Sequence, residues 1–206
     1  MCIEIYTVGH STHPFEKFLG LLQKQGVTAI VDVRSVPYSR FNPQFNREEL
    51  YSALKAHGIR YVFLGKELGA RSDDVSCYVE GRVQYNLLSK TALFQSGLTR
   101  VIDGAESHKI ALMCAESDPI NCHRTILVAR ELVSRGANVT HILQDGSTEL
   151  HRDAISRLIS KMGLGESDMF RSEALTVDHA YEMQGERIAY DQRTGRDVPA
   201  KGAEIA

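Results

Sequence analysis

Between Cys114 and Arg124 the chain carries two thiols, an imidazole, a guanidinium and two carboxylates: Cys114, Glu116, Asp118, Cys122, His123 and Arg124. These are the side chains of polar catalysis. A thiolate attacks electrophiles, an imidazole or carboxylate moves the proton, and a guanidinium holds an anion. The segment opens with an apolar run at residues 110–113 and breaks at Pro119 and Asn121. It resumes as a helical pattern from about residue 122 to 135, closed by Gly136. A buried strand feeding a helix through a turn sets the turn at the carboxyl end of a parallel sheet, where open α/β folds bind ligands.

Several readings of these residues compete. Cys122 at a helix N-terminus beside His123 has surroundings that lower a thiol pKa, with Glu116 or His123 as proton shuttle. Cys114 closes the strand and competes for the same role. Against this, cysteine is among the most buried residue types and often only packs. On a regular helix, neighbouring residues also point about 100° apart. Cys122 and His123 are therefore not expected to serve one centre. Cys114, Cys122, His123 and His10 are all zinc-ligand types, but the C-x7-C-H spacing matches no standard zinc knuckle and no second pair completes it. No metal site is assigned and no cofactor is expected; a divalent metal finds no support in the spacing.

The elements that must position these groups alternate. Strand patterns span residues 3–8, 27–33, 61–64, 109–113 and 139–143. Helical patterns follow Pro14, run from Asn46 (read as a cap) to His57, and cover 86–103 with a break near Ser96 and Gly97. Others cover 122–135, 150–162 and 172–190, the last with Val177, Tyr181, Gln184 and Ile188 in line. The expected fold is α/β: three layers, a mostly parallel five-stranded sheet with helices on both faces, Rossmann-like. Residues 1–163 form the α/β domain, 164–190 a C-terminal helical appendage, and 191–206 a frayed tail.

In such a sheet the carboxyl-end loops bring distant residues together. His10 and Ser11 follow the first strand. Asp32, Arg34 and Ser39 follow the second, Arg71 the third, and Cys114 to Arg124 the fourth. Asp32 closes an apolar strand and is expected to be desolvated, with Arg34 as its available partner; the alternative is an aspartate that caps its own loop. Arg34 and Arg124, with helix N-terminal amides, would form a site for a phosphate or carboxylate. His10 could act as acid or base, or bond the backbone. Tyr38, Phe41, Phe45, Tyr78 and Tyr85 on the long loops could stack on a base or pin their own loops. His13, His57, His108, His141, His151 and His179 stand out in no pattern.

At 206 residues and net charge −2, the chain is one ordinary domain without the cation excess of a general duplex binder, leaving nucleic acid only a local cleft. No window is apolar enough to span a membrane, and residues 1–6 read as a strand rather than a signal peptide. The four cysteines have no framework spacing, so they read as reduced thiols of a cytoplasmic protein.

Five motifs carry a family resemblance: Thr7-Val8-Gly9-His10-Ser11, residues 32–39 from Asp-Val-Arg-Ser, residues 64–71 from Leu-Gly-Lys-Glu, the Cys114-Ala115-Glu116 and Cys122-His123-Arg124 pair with Pro119, and His141-Ile142-Leu143. Over residues 3–160 the chain resembles a widespread microbial family known as domain of unknown function 488. Ala70 departs from the second glycine usual there. The resemblance implies an α/β domain and a shared polar set of His10, Asp32, Arg34, Glu116, Cys122, His123 and Arg124; it implies no reaction.

The leading expectation is a small hydrolase or transferase acting on a phosphate-bearing, nucleotide-like substrate at the sheet's carboxyl edge. Arg34, Arg124, Ser11, Ser39 and Arg71 would bind the small anion. Asp32, Glu116, His10, His123, Cys122 and Cys114 are the catalytic candidates. The alternatives are a thiolate enzyme or redox sensor at Cys122 or Cys114, and a non-catalytic anion-binding or interaction module using residues 172–190.

Overall fold

The computed structural model describes residues 3–164 and 173–197. The chain begins β1 (Glu4–Gly9), α1 (Phe15–Lys24), β2 (Ala29–Asp32), α2 (Arg47–Ala56), β3 (Arg60–Phe63) and α3 (Gly65–Leu68). Two short strands, β4 (Tyr78–Val79) and β5 (Arg82–Val83), precede α4 (Tyr85–Leu88), α5 (Ala92–Ala105) and β6 (Ile110–Cys114). A π-helical stretch at Arg124–Ala129 then runs into α6 (Arg130–Ser134). β7 (Asn138–Ile142), β8 (Thr148–Leu150), α7 (His151–Lys161), α8 (Glu173–Ile188), β9 (Tyr190–Asp191) and β10 (Arg196–Asp197) complete it.

The fold is a layered α/β architecture of the Rossmann-like class, with the main sheet ordered β3-β2-β6-β1-β7-β8. The five strands expected from sequence are parallel, each within two residues of its expected bounds. The sheet has six strands rather than five, because β8 turns back antiparallel on β7. A second, four-stranded sheet ordered β10-β9-β5-β4 lies partly in a segment that reads as loop. Strands of two residues carry too little alternation to be seen in sequence. The expected tail from residue 191 is also corrected: through Asp197 it forms a hairpin in this small sheet. Residues 198–206 lie outside the described residues, as does Ser172.

Period-two alternation sorts the core. Ala111 and Met113 of β6 pack with Val8, Ile30, Phe18, Leu22 and Leu50 under α1 and α2. Ile110, Leu112 and Cys114 face the other layer, with Leu98, Val101, Leu127, Val128 and Cys122. A third cluster joins Ile120 and Ile126 to Ala154, Ile155 and Leu158 of α7 and to Ala180, Tyr181 and Ile188 of α8. The line of residues expected on α8 is thus covered by the chain's own surface. Gln184 donates through Nε2 to Ile120 O at 2.7 Å, fastening α8 under the Pro119 turn.

Two local expectations are corrected. Asn46 does not cap α2 with its side chain; its Oδ1 accepts from Ser39 N at 2.7 Å and shapes the preceding loop instead. The break in the 86–103 pattern falls between α4 and α5, where Thr91 Oγ1 accepts from Phe94 N as an N-cap. Gly97 does not interrupt α5; a β-carbon there would sit 2.7 Å from Glu67 Cβ, so its absence lets α5 pack on α3.

Candidate functional site

The carboxyl ends of β1, β2 and β6 hold two adjoining polar clusters. The first is built on Asp32, the last residue of β2. Its carboxylate accepts from Arg34 Nε at 2.9 Å and Nη2 at 2.7 Å, from Arg34 N at 3.1 Å and from Tyr61 Oη at 2.7 Å. Arg34 Nη2 also donates to Phe45 O at 2.8 Å, and Nη1 lies 3.1 Å from His10 Nε2. His10 Nδ1 is 2.8 Å from Ser11 O, which can only accept, so Nδ1 carries the proton and Nε2 accepts from Arg34. Burial, reinforced by the Arg34 charge, lowers the His10 pKa to about 4. His10 is therefore a neutral ring, stacked on Phe45 with centroids 4.3 Å apart. The expected pairing of Asp32 with Arg34 is present, but it forms a closed buried network.

The second cluster spans the turn after β6. Gly9 allows its approach: a β-carbon there would lie 1.9 Å from Glu116 O. Ser11 N donates to Ala115 O, tying the two loops. Arg124 is fully buried and holds the turn from below, Nη1 donating to Glu116 O at 2.6 Å and Nη2 to Ser117 O at 3.3 Å. Asp118 caps the 3-10 turn through Ile120 N and pairs with Arg157, which lowers its pKa against the opposing effect of burial. With its backbone fixed, the turn presents Glu116 half-buried, over a buried Cys114, Cys122 and His123.

Cys122 and His123 converge, contrary to expectation. Cys122 has φ −134° and ψ 141°, extended backbone; helical backbone begins only at His123. The 100° separation of helical neighbours does not apply. Cys122 Sγ lies 2.9 Å from Glu116 Oε2 and 3.9 Å from His123 Nδ1, while Cys114 Sγ lies 3.6 Å from the same nitrogen. His123 Nε2 donates to Val33 O at 3.0 Å, so the ring is oriented with Nδ1 toward both sulfurs.

These groups redistribute one another's protons. The Cys122 sulfur, and then burial, push the Cys114 thiol well up. Burial opposes ionisation of Cys122, but the hydrogen bond from Cys114, the Arg124 charge and His123 together outweigh it and hold that thiol well down. Burial and then the charge of Cys122 raise Glu116. Burial works to lower His123, and its bond and charge contact with Cys122 overcome this and raise it. The arrangement can carry a thiolate, share a proton between Cys122 and Glu116, or bind a soft cation.

The remaining candidates do not join this cluster. Arg34 and Arg124, expected to hold a substrate anion, direct their donors to Asp32, His10 and backbone carbonyls. Ser39 Oγ accepts from Phe41 N and Asn42 N, a loop-building role. Arg71 stacks on Tyr190, 4.6 Å from its centroid, and its N donates to Ser35 Oγ. Ser11 has φ 49° and serves through its backbone. Of the loop aromatics, Phe45 is buried, whereas Tyr38 and Phe41 are exposed. His10, weighed with the zinc-ligand types, is committed elsewhere.

One buried feature escaped the sequence reading. Arg124 Nε donates to Thr7 Oγ1 at 3.4 Å, Thr7 bonds His141 Nδ1 at 2.7 Å, His141 Nε2 bonds His151 Nδ1 at 3.1 Å, and His151 Nε2 bonds Tyr181 Oη at 2.7 Å. Burial lowers the His151 pKa to about 4, and burial followed by the charges of His151, Arg124 and Arg157 holds His141 well below its ordinary value, so both are neutral links. A histidine alternating with apolar residues inside β7 was the available signal.

No helix among the described residues is long and apolar enough to cross a membrane. No curated protein and no solved structure matches the chain. A family model does match, over residues 14–130, more than half of the chain and including both clusters except Gly9, His10 and Ser11. With that match added to the motifs at Asp32, Glu116 and Cys122-His123-Arg124, the chain belongs to the family described as domain of unknown function DUF488.

Proposed function

We propose that this chain is a small enzyme of the hydrolase or transferase type whose reactive centre is Cys114, Glu116, Cys122 and His123. The observation that carries the reading is the convergence of two sulfurs on one imidazole nitrogen, with a carboxylate oxygen 2.9 Å from the Cys122 sulfur. Beside it, the arginines that would have clamped a phosphate have internal partners. Cys122 is the electron-rich atom of the centre, and Glu116 takes and returns its proton. Substrate approaches from the side of Glu116, because the other three groups are buried. It is a small electrophilic molecule, not one selected by an arginine clamp. Three reduced, buried cysteines accord with a cytoplasmic setting.

The test is turnover of a panel of activated acyl, phosphoryl and amidine substrates by wild type, Cys122→Ser, Glu116→Gln and Cys77→Ser. Cys77 is buried in the core and serves as the control. At least one substrate class should turn over, with the first two variants slower by roughly 100-fold or more and Cys77→Ser unchanged. Equal rates in all four proteins, or no turnover of any class, would overturn the proposal.

A further inference from the structure

We infer that Cys114 Sγ, Cys122 Sγ and His123 Nδ1 together hold one zinc-like divalent cation, with Glu116 beside its remaining coordination position. This rests on the reading of the cluster as the reactive centre; with the ion bound, its sulfurs are ligands and Glu116 faces the proton of an ion-bound water in place of that of Cys122.

The first argument is distance. A tetrahedral ion with bonds of about 2.3 Å to sulfur and about 2.0–2.1 Å to imidazole nitrogen sets its ligands about 3.5–3.6 Å apart, sulfur to nitrogen. The two separations here are 3.6 and 3.9 Å, and all three donor atoms lie within 4.8 Å of one another. For the two sulfur–nitrogen pairs, binding needs adjustments of a few tenths of an ångström at most. The second argument is orientation. The outer nitrogen of His123 donates to Val33 O, so its inner nitrogen is turned into the cluster. Metal-bound histidines are commonly fixed in this way, which sets tautomer and ring angle. Their third feature is chemistry: two sulfurs and an imidazole favour a zinc-like ion over magnesium or calcium, which demand oxygen.

Glu116 sets the kind of site. The three ligands are buried, whereas Glu116 is half-buried on the outward side. Three protein ligands with one open position form the catalytic zinc pattern; structural sites are closed by four. A water in the open position would have its pKa lowered by the ion and give its proton to the adjacent carboxylate.

The experiment uses the full-length chain, stripped by chelator and titrated with Co2+ and Zn2+. The expected result is one equivalent per chain and a cobalt spectrum with thiolate-to-metal charge transfer and tetrahedral bands. Cys114→Ser, Cys122→Ser and His123→Ala should each weaken binding at least 10-fold, with Cys77→Ser unchanged. Glu116→Gln should keep the ion; if it does not, the carboxylate is a ligand and its assignment to the proton is overturned. Should the ligand variants misfold, wild type alone decides, because Zn2+ must protect Cys114 and Cys122 from a thiol reagent until chelator is added. No protection and an octahedral, sulfur-free cobalt spectrum would overturn the inference. If chelated protein retains full Cys122-dependent turnover, the metal fails and the thiolate enzyme stands. If the ion binds and no substrate class turns over, the enzyme reading fails and the metal site stands.

Discussion

Two polar clusters occupy the same sheet edge, and they differ in how their hydrogen bonds close. Around Asp32, donors and acceptors match: the carboxylate accepts from Arg34 and Tyr61, Arg34 donates to Phe45 O and to a neutral His10, and His10 donates to Ser11 O. Around His123, two sulfurs meet one ring nitrogen and a carboxylate oxygen meets the Cys122 sulfur, so lone pairs outnumber protons. A matched network is a scaffold, because removing any member strands another. A surplus of lone pairs is a place for something else to bind or react. Arg124 and the Glu116 turn are the boundary: the scaffold cations hold the backbone from which the reactive groups project.

The sharpest way to break this comparison is by stability. Asp32→Asn strands Arg34 without a counter-charge in a buried site, and unfolding in urea should show a loss of about 3–5 kcal/mol. Cys122→Ser in chelated protein should cost on the order of 1 kcal/mol. Similar losses for both would mean that the sulfur cluster is scaffold too.

Acid should act on the matched histidines next. Unfolded histidine has a pKa near 6.5, and His10 and His151 are lowered to about 4 in the fold. Below 6.5 the unfolded chain binds more protons than the folded one, so stability is full above that pH and declines as pH falls toward 4. The loss should be about 3 kcal/mol for each histidine. Urea midpoints across this range give the slope; a flat profile would show that neutral rings are not required.

A smaller effect tests the boundary. Gly9→Ala introduces a carbon 1.9 Å from Glu116 O. Displacing that turn should cost about 1–3 kcal/mol, with cobalt bands altered because Cys114 and Cys122 flank it. Unchanged bands would separate the turn from the centre. Smallest of all, Gln184→Ala removes donors to Ile120 O and Asn121 Oδ1. A loss of about 1 kcal/mol, with proteolysis easier in α8 but the cobalt spectrum intact, would place α8 outside the centre.

The five parallel strands, the helices between them and the placement of Cys114 to Arg124 at the carboxyl edge were legible in the residues. Apolar runs and glycine stops act locally and repeat with the period of the element. The salt bridge of Asp32 with Arg34 was legible as well, since two residues apart on a strand place side chains on one face. Hidden from sequence were β8, the small sheet with its C-terminal hairpin, and the His141–His151–Tyr181 chain. Each depends on pairing between distant segments, or on strands too short for a pattern.

The Cys114–Arg124 segment shows the division most clearly. Its residue types alone determined that side chains capable of reactive chemistry are concentrated there. Which side chains share a centre was decided by the tertiary structure: the extended backbone at Cys122, the close approach that Gly9 permits and the Val33 carbonyl that turns His123. The arginines, prominent in sequence as anion binders, lie beneath the fold's surface with their donors committed. Residue type sets what a side chain can do, and packing sets what it faces. A backbone angle at one residue was enough to turn two helical neighbours, expected apart, into partners.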